Sequence, residues 1–170
     1  MNKDIIFLTG FMGCGKSASG RELALILNRP FIDTDKLIEK NCSMSIPEIF
    51  EKKGESFFRQ TESALLEDIK LKAPCVVSTG GGMAAYGNNL AIMKNMGVTV
   101  TLIASADEIL RRVSSSDEVR PLLADSNPKL KIISLLQKRA YYYISSHIIV
   151  STDGKKPKEV AIEIKERLSL

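Results

Sequence analysis

The chain has 170 residues, 44% of them apolar and 26% charged, a make-up that predicts one globular domain over 1–170 and excludes a disulfide-stapled mini-protein. Its 24 Lys and Arg against 20 Asp and Glu leave a net charge of +4 scattered along the sequence, which excludes a dedicated nucleic-acid binder. Three widely spaced cysteines, Cys14, Cys42 and Cys75, give neither a disulfide framework nor zinc-ligand spacing, so a reducing cytoplasm is expected.

Met1 to Asp4 leads into only five apolar-leaning residues before Gly10, too few for a signal peptide or a membrane span, and no membrane partner is expected. From there short apolar runs alternate with segments of helical period, the pattern of an α/β fold on a mostly parallel sheet. The runs 5–9, 31–33, 75–79, 98–103 and 148–150 predict five strands, most of them covered on both faces. Helices are predicted to begin near residues 16, 46, 55, 87, 106, 128 and 157. Ser105 with Glu108 reads as a capping box, while Ser45 and Asn127 each precede a first-turn proline. Residues 114–126 break the alternation: they carry Arg120, Pro121 and two leucines without helical period, and predict a mobile lid.

The segment from Gly10 to Ser17 matches G-x-x-x-x-G-K-[ST] between a predicted strand and a predicted helix, the context that a phosphate-binding P-loop requires. Its glycines let backbone N–H groups turn inward around a phosphate, Lys16 can reach the β- and γ-phosphates, and the Ser17 hydroxyl can ligate Mg²⁺. Cys14 has no His or second Cys beside it and is read as a loop position, not a nucleophile. The D-x-x-G and N-K-x-D segments of guanine-nucleotide switches are missing, and a chain with no Trp and 4 Tyr lacks the aromatic platforms of a nucleic-acid motor. A small phosphotransferase is what remains.

Asp33 and Asp35 stand two apart at the end of the second predicted strand, so both carboxylates can face the phosphate site. One suits the waters around Mg²⁺ and the other the proton of an attacking hydroxyl. The competing reading is helix N-capping by Asp35 or Thr34. Arg59 is ambiguous by itself, since Glu55 and Glu62 stand at i−4 and i+3 and could pair with it on a solvated face. Arg120 and Arg139 are ambiguous in the same way. Gly80, Gly81 and Gly82 follow the third strand and leave bare backbone that another molecule can approach. The P-loop, the aspartate pair and this glycine run all fall at carboxyl ends of strands, where ligands of open α/β sheets gather. His147 starts the last strand and is read as structural.

Six segments in this order, GFMGCGKS, DTDKLIE, SIPEIFEKKGESFFRQTE, STGGG, VRPLL and the stretch from Arg139 to Tyr143, resemble the shikimate kinase family over about residues 5 to 143. The resemblance implies a three-layer P-loop kinase fold with a five-stranded parallel sheet in the order 2-3-1-4-5. It also implies a substrate-binding helical part at about 35–62 and a lid at about 114–126. The implied reaction is transfer of the ATP γ-phosphate to the 3-hydroxyl of shikimate, with Lys16, Asp35 and Arg120 as catalytic residues. ATP would lie on Gly13, Cys14, Gly15, Lys16, Ser17, Ala18 and Arg120, with Arg112 and the loop near Pro157 flanking the adenine. Mg²⁺ would sit on Ser17 and, through water, Asp33. Shikimate would be held by Asp35, Arg59, Gly80, Gly81, Gly82 and Arg139, and walled by Met12, Phe50 and Phe58. A monomer acting on these two small molecules is expected.

Three positions depart from the family pattern. Ala18 stands where a threonine usually follows the P-loop serine, Tyr141 replaces a proline, and Ser146-His147 occupies an Ala-Asp region. A sugar-acid kinase such as a gluconate kinase is the alternative enzyme, but the D-G-D-x-L-H-P and C-S-A-L-K segments expected of gluconate kinases are missing. A silent nucleotide-binding module is the alternative from another class, and intact Lys16, Ser17, Asp33 and Asp35 argue against it.

Overall fold

A computed structural model describes residues 3–72, 74–115, 121–123 and 127–170. Strand β1 (Ile5–Thr9) is buried along its whole length, as a strand covered on both faces must be. It is the middle of a five-stranded sheet ordered β2-β3-β1-β4-β5, the order expected, in which every pairing is parallel. The other strands are β2 (Phe31–Asp33), β3 (Cys75–Ser78), β4 (Val98–Ile103) and β5 (Ile148–Ser151). Thr79, expected in β3, lies just beyond it, and its N–H donates to the Leu8 carbonyl.

The period of two along β1 separates two cores. Ile5 and Phe7 face one cluster with α2 (Thr34–Cys42), α3 (Ile46–Lys70) and α4 (Asn89–Met96). Ile6 and Leu8 face another with α1 (Lys16–Leu27) and α7 (Pro157–Leu168). A third, smaller cluster joins Phe11 to α5 (Ala106–Ser114) and α6 (Pro128–Ile144) through Ile109, Ile132 and Tyr143. The result is three layers.

Most helix starts agree with the sequence reading, and the differences have local causes. Asp33, not Thr34 or Asp35, caps α2: its side chain accepts from the N–H groups of Asp35 and Lys36. The two starts expected near 46 and 55 are one run, α3, interrupted where Gly54 adopts φ 82°, ψ 166°. Near residue 87 a 3-10 turn (Met83–Ala85) comes first and α4 follows. Ser45 forms the full capping box with Glu48, and Asn127 caps α6. Ser105 accepts from Glu108 N–H as expected, but the box stays half made because the Glu108 carboxylate is drawn to Arg111 and Arg112. The Ser105 N–H, which a full box would give to Glu108, donates to Asp153 instead.

Of the expected lid, residues 116–120 and 124–126, Arg120 included, lie outside the described residues. Pro121–Leu123 form a 3-10 turn, and Leu123 packs into the third cluster. Among the described residues, no helix is long and apolar enough to cross a membrane.

Gly97, between α4 and β4, tests the fit of the layers. Its backbone is extended at φ −173°, ψ −155°, which any residue adopts, yet a Cβ there would collide with the carbonyl of Ile5. Ile5 is held in register by β3, so the obstacle is backbone that cannot turn aside. Gly97→Ala should lower unfolding free energy by about 1–3 kcal/mol, the usual cost of overpacking. Urea unfolding measures it, and an unchanged midpoint would show that β1 and β4 yield more easily than this packing implies.

Candidate active site

The sheet register brings the chemistry to one edge. Leu8 pairs with Ser78, and Asp33 pairs with Ser78 from the other side, so three strands end within one residue of the same level. The segments leaving them are the P-loop, the start of α2 and the glycine run.

The P-loop turns on Gly13 (φ 78°) and Gly15 (φ 90°), left-handed conformations that side chains resist. Gly15 is also the N-cap of α1, so the loop's donors open at a helix N-terminus. Lys16 Nζ donates to the Phe11 carbonyl at 2.9 Å. The Ser17 hydroxyl donates to Asp33 Oδ2 at 2.7 Å and meets Ser78 Oγ at 3.1 Å. Asp33 therefore works at both ends, one oxygen on Ser17 and the other on the first turn of α2. Cys14 is wholly buried, with its side chain in the second core, and it does not line the cleft. Ala18 lines the cleft.

The glycine run is bare for a reason that sequence alone does not reveal. None of Gly80, Gly81 and Gly82 has positive φ; what they need is room. A Cβ on Gly80 would collide with Glu62 and stand 2.7 Å from Asp35 Oδ1, and one on Gly82 would stand 2.7 Å from the Arg59 guanidinium. Gly80 N–H is committed to Thr34 Oγ1 at 2.9 Å, which ties the run to α2.

Arg59 does pair with Glu55 (3.0 Å) and Glu62 (2.6 Å), as its spacing suggested. The face is not solvated, however: Arg59 is 6% exposed and Glu62 0%. Burial opposes the Arg59 charge, but the two carboxylates prevail and raise its pKa. Glu62 is pushed up to about 7, first by burial, with Arg59 pulling it down, Asp35 raising it and Arg139 lowering it. Its Oε2 takes Arg59, while its Oε1 accepts no hydrogen bond from any described residue. On α6, Arg139 Nη1 and the Tyr143 hydroxyl both donate to the Gly81 carbonyl, at 3.2 and 2.9 Å.

These groups surround one cleft of about 620 Å³, a size that suits small ligands. Lys16, Ser17 and Asp33 lie in its wall together with Asp35, Arg59, Gly80 to Gly82 and Arg139. Met12, Phe50 and Phe58 supply apolar wall, the two rings 5.1 Å apart between centroids. A second cavity of about 470 Å³ shares Gly15, Ala18 and Arg112 with the first and adds Pro157. Arg112 is fixed between them by Gly13 O (3.3 Å), Thr152 (2.9 Å) and Glu108 (2.7 Å).

His147 is remote from this cleft: its Nδ1 accepts from Thr99 N–H at 3.1 Å, which is the structural placement expected. Tyr141 in place of proline leaves α6 unbroken to Ile144. Sequence reasoning gave Glu62 only the part of an ion-pair partner, and it assigned nothing to Ser78, Tyr143 or Thr34 in the site. The i+3 spacing from Arg59 was the one available signal for Glu62.

Three comparisons agree with this geometry. Residues 12–169 match the family model described as shikimate kinase. A shikimate kinase of Sulfurihydrogenibium sp. is 44% identical over 94% of each chain, and one of Thermus thermophilus is 43% identical over 96% of this chain and 89% of its own. Among solved structures, shikimate kinase from Acinetobacter baumannii in complex with shikimate superposes with a TM-score of 0.92 at 36% identity, covering 98% of this chain and 94% of that one. The chain belongs to the shikimate kinase family of ATP-dependent small-molecule kinases.

Proposed function

We propose that this chain transfers the γ-phosphate of ATP to the 3-hydroxyl of shikimate, giving shikimate 3-phosphate and ADP. The observation that carries the reading is the single cleft in which a P-loop faces two arginines, Arg59 buried and Arg139 half-buried. Arg forks match a carboxylate bidentately, and shikimate offers one carboxylate on a small hydroxylated ring. Arg59 and Arg139 bind that carboxylate, the bare backbone of Gly80 to Gly82 lets the ring approach, and Met12, Phe50 and Phe58 cover its carbons.

The acceptor oxygen attacks the γ-phosphorus in line, the bond from phosphorus to the bridging oxygen of ADP breaks, and the hydroxyl proton passes to the Asp35 carboxylate. Lys16 leaves the Phe11 carbonyl to meet the β- and γ-phosphates. Gly13, Gly15 and Ala18 line the phosphates with backbone, and Arg112 and Pro157 flank the adenine in the second cavity. Ser17 and Asp33 suit Mg²⁺, since both present hard oxygen donors and already touch at 2.7 Å. When bound, that ion neutralises phosphate charge. Arg120 serves the transferring phosphate from a lid at 114–126, and the helical part at 35–62 holds the acid. The chain acts as a single domain, a cytoplasmic monomer.

Purified protein with Mg·ATP, assayed for ADP release against shikimate, gluconate, AMP and water, tests the reading. Release should depend on shikimate, and turnover with gluconate or water alone would replace it with the sugar-acid or hydrolytic alternative.

Glu62 gives a pH dependence with a definite sign. In the empty cleft its carboxyl titrates near 7, facing Arg59 on its own helix, Asp35 on α2 and Arg139 on α6. A bound carboxylate is another like charge and favours protonated Glu62, so binding takes up a proton. Shikimate should therefore bind more tightly as pH falls from 8 through about 7, and Glu62→Gln should flatten that limb. Calorimetric titrations in buffers of different ionisation heat measure the proton directly; no uptake by the wild type near neutral pH would contradict the coupling.

A further inference from the structure

Tyr143 lies one turn beyond Arg139 on α6, is 5% exposed, and has no part in the reaction as set out above. Its hydroxyl and Arg139 Nη1 donate to one and the same oxygen, the Gly81 carbonyl. A carbonyl oxygen has two lone pairs, so both are taken. The two donors differ in what a substrate asks of them. Arg139 faces the cleft and has to turn donors toward an arriving carboxylate. The phenol is wedged among Phe11, Ile109, Leu123 and Ile132 and stays where it is.

The peptide joining Gly81 to Gly82 is planar and trans, so its N–H points opposite to its carbonyl. A carbonyl fixed toward α6 sends the Gly82 N–H away from α6, on a residue that lies against the Arg59 guanidinium. Between two glycines this peptide has little else to hold its orientation. We propose that Tyr143 is a positioning residue for the acid substrate: it keeps the Gly81–Gly82 peptide oriented, so that Gly82 N–H faces the substrate while Arg139 exchanges the Gly81 carbonyl for the substrate carboxylate. Burial, opposed by Arg139, pushes the Tyr143 hydroxyl up to about 12, so it remains a donor at any working pH. The inference rests on the proposed shikimate site.

Tyr143→Phe keeps the ring and its packing and removes only the donor. Shikimate KM should rise about 3- to 10-fold, the worth of one net hydrogen bond, while kcat and the KM for ATP stay within about two-fold. In protein labelled with ¹⁵N-glycine, the Gly82 amide signal should move, whereas those of Gly54 and Gly154 should not. A shikimate KM unchanged by the substitution would overturn the proposal. So would a uniform loss in kcat and both KM values tracking a lowered melting midpoint, which marks packing alone. Were the wild type itself inactive on shikimate, the functional reading would fall, and an unmoved Gly82 signal in the free variant would still dispose of the anchor.

Discussion

Everything in the cleft depends on three parallel strands stopping within one residue of the same level. Leu8, Ser78 and Asp33 form one row of the sheet, and a parallel register cannot slip by one residue without turning every buried side chain to the opposite face. With Ile5 and Phe7 committed to one core and Ile6 and Leu8 to the other, that register is fixed by the packing on both faces. The P-loop, the capped start of α2 and the glycine run then leave the sheet together. Asp33 and Thr34 tie them to one another through Ser17 and Gly80.

The buried charges that line the proposed acid-binding half of the cleft come at a cost to the fold. Taking Arg59 and Glu62 out of water costs several kcal/mol for each ion, and a buried pair often recovers no more than that. Stability is therefore a poor reason for the pair. On the proposed reading its placement suits a site that receives an anion: Arg59 is held charged before the ligand comes, and Glu62, one of whose oxygens takes no hydrogen bond from a described residue, would take up a proton when another carboxylate arrives. The ordering cost of a flexible arginine is met by the fold and not at the moment of binding.

What the sequence disclosed was local. The strands were legible because buried parallel strands read as apolar runs, and the P-loop because its spacing falls between a strand and a helix. Ser45 and Asn127 announced their helices by short-range chemistry. Tertiary facts were not legible. Ser105 and Glu108 have capping-box spacing, yet two arginines one turn on take the carboxylate. Arg59 has the spacing of a solvated helix face, yet it is buried, with Gly82 packed against its guanidinium. Asp33 caps α2, where capping by Asp35 or Thr34 was the competing reading, and the difference of one or two residues leaves the Asp35 side chain beside the glycine run. Tyr143 was visible only as part of a resemblance, because its partner is a backbone carbonyl 62 residues away.

The most direct test is a crystal structure of the protein with a non-hydrolysable ATP analogue, Mg²⁺ and shikimate together. Both molecules should lie in the one cleft, with the acid's carboxylate on Arg59 and Arg139 and an acceptor hydroxyl about 3–3.5 Å from the γ-phosphorus, in line with its bond to the leaving oxygen. Shikimate bound away from the P-loop, or seated with its carboxylate toward Lys16 and its hydroxyls on the arginines, would contradict the proposed reaction.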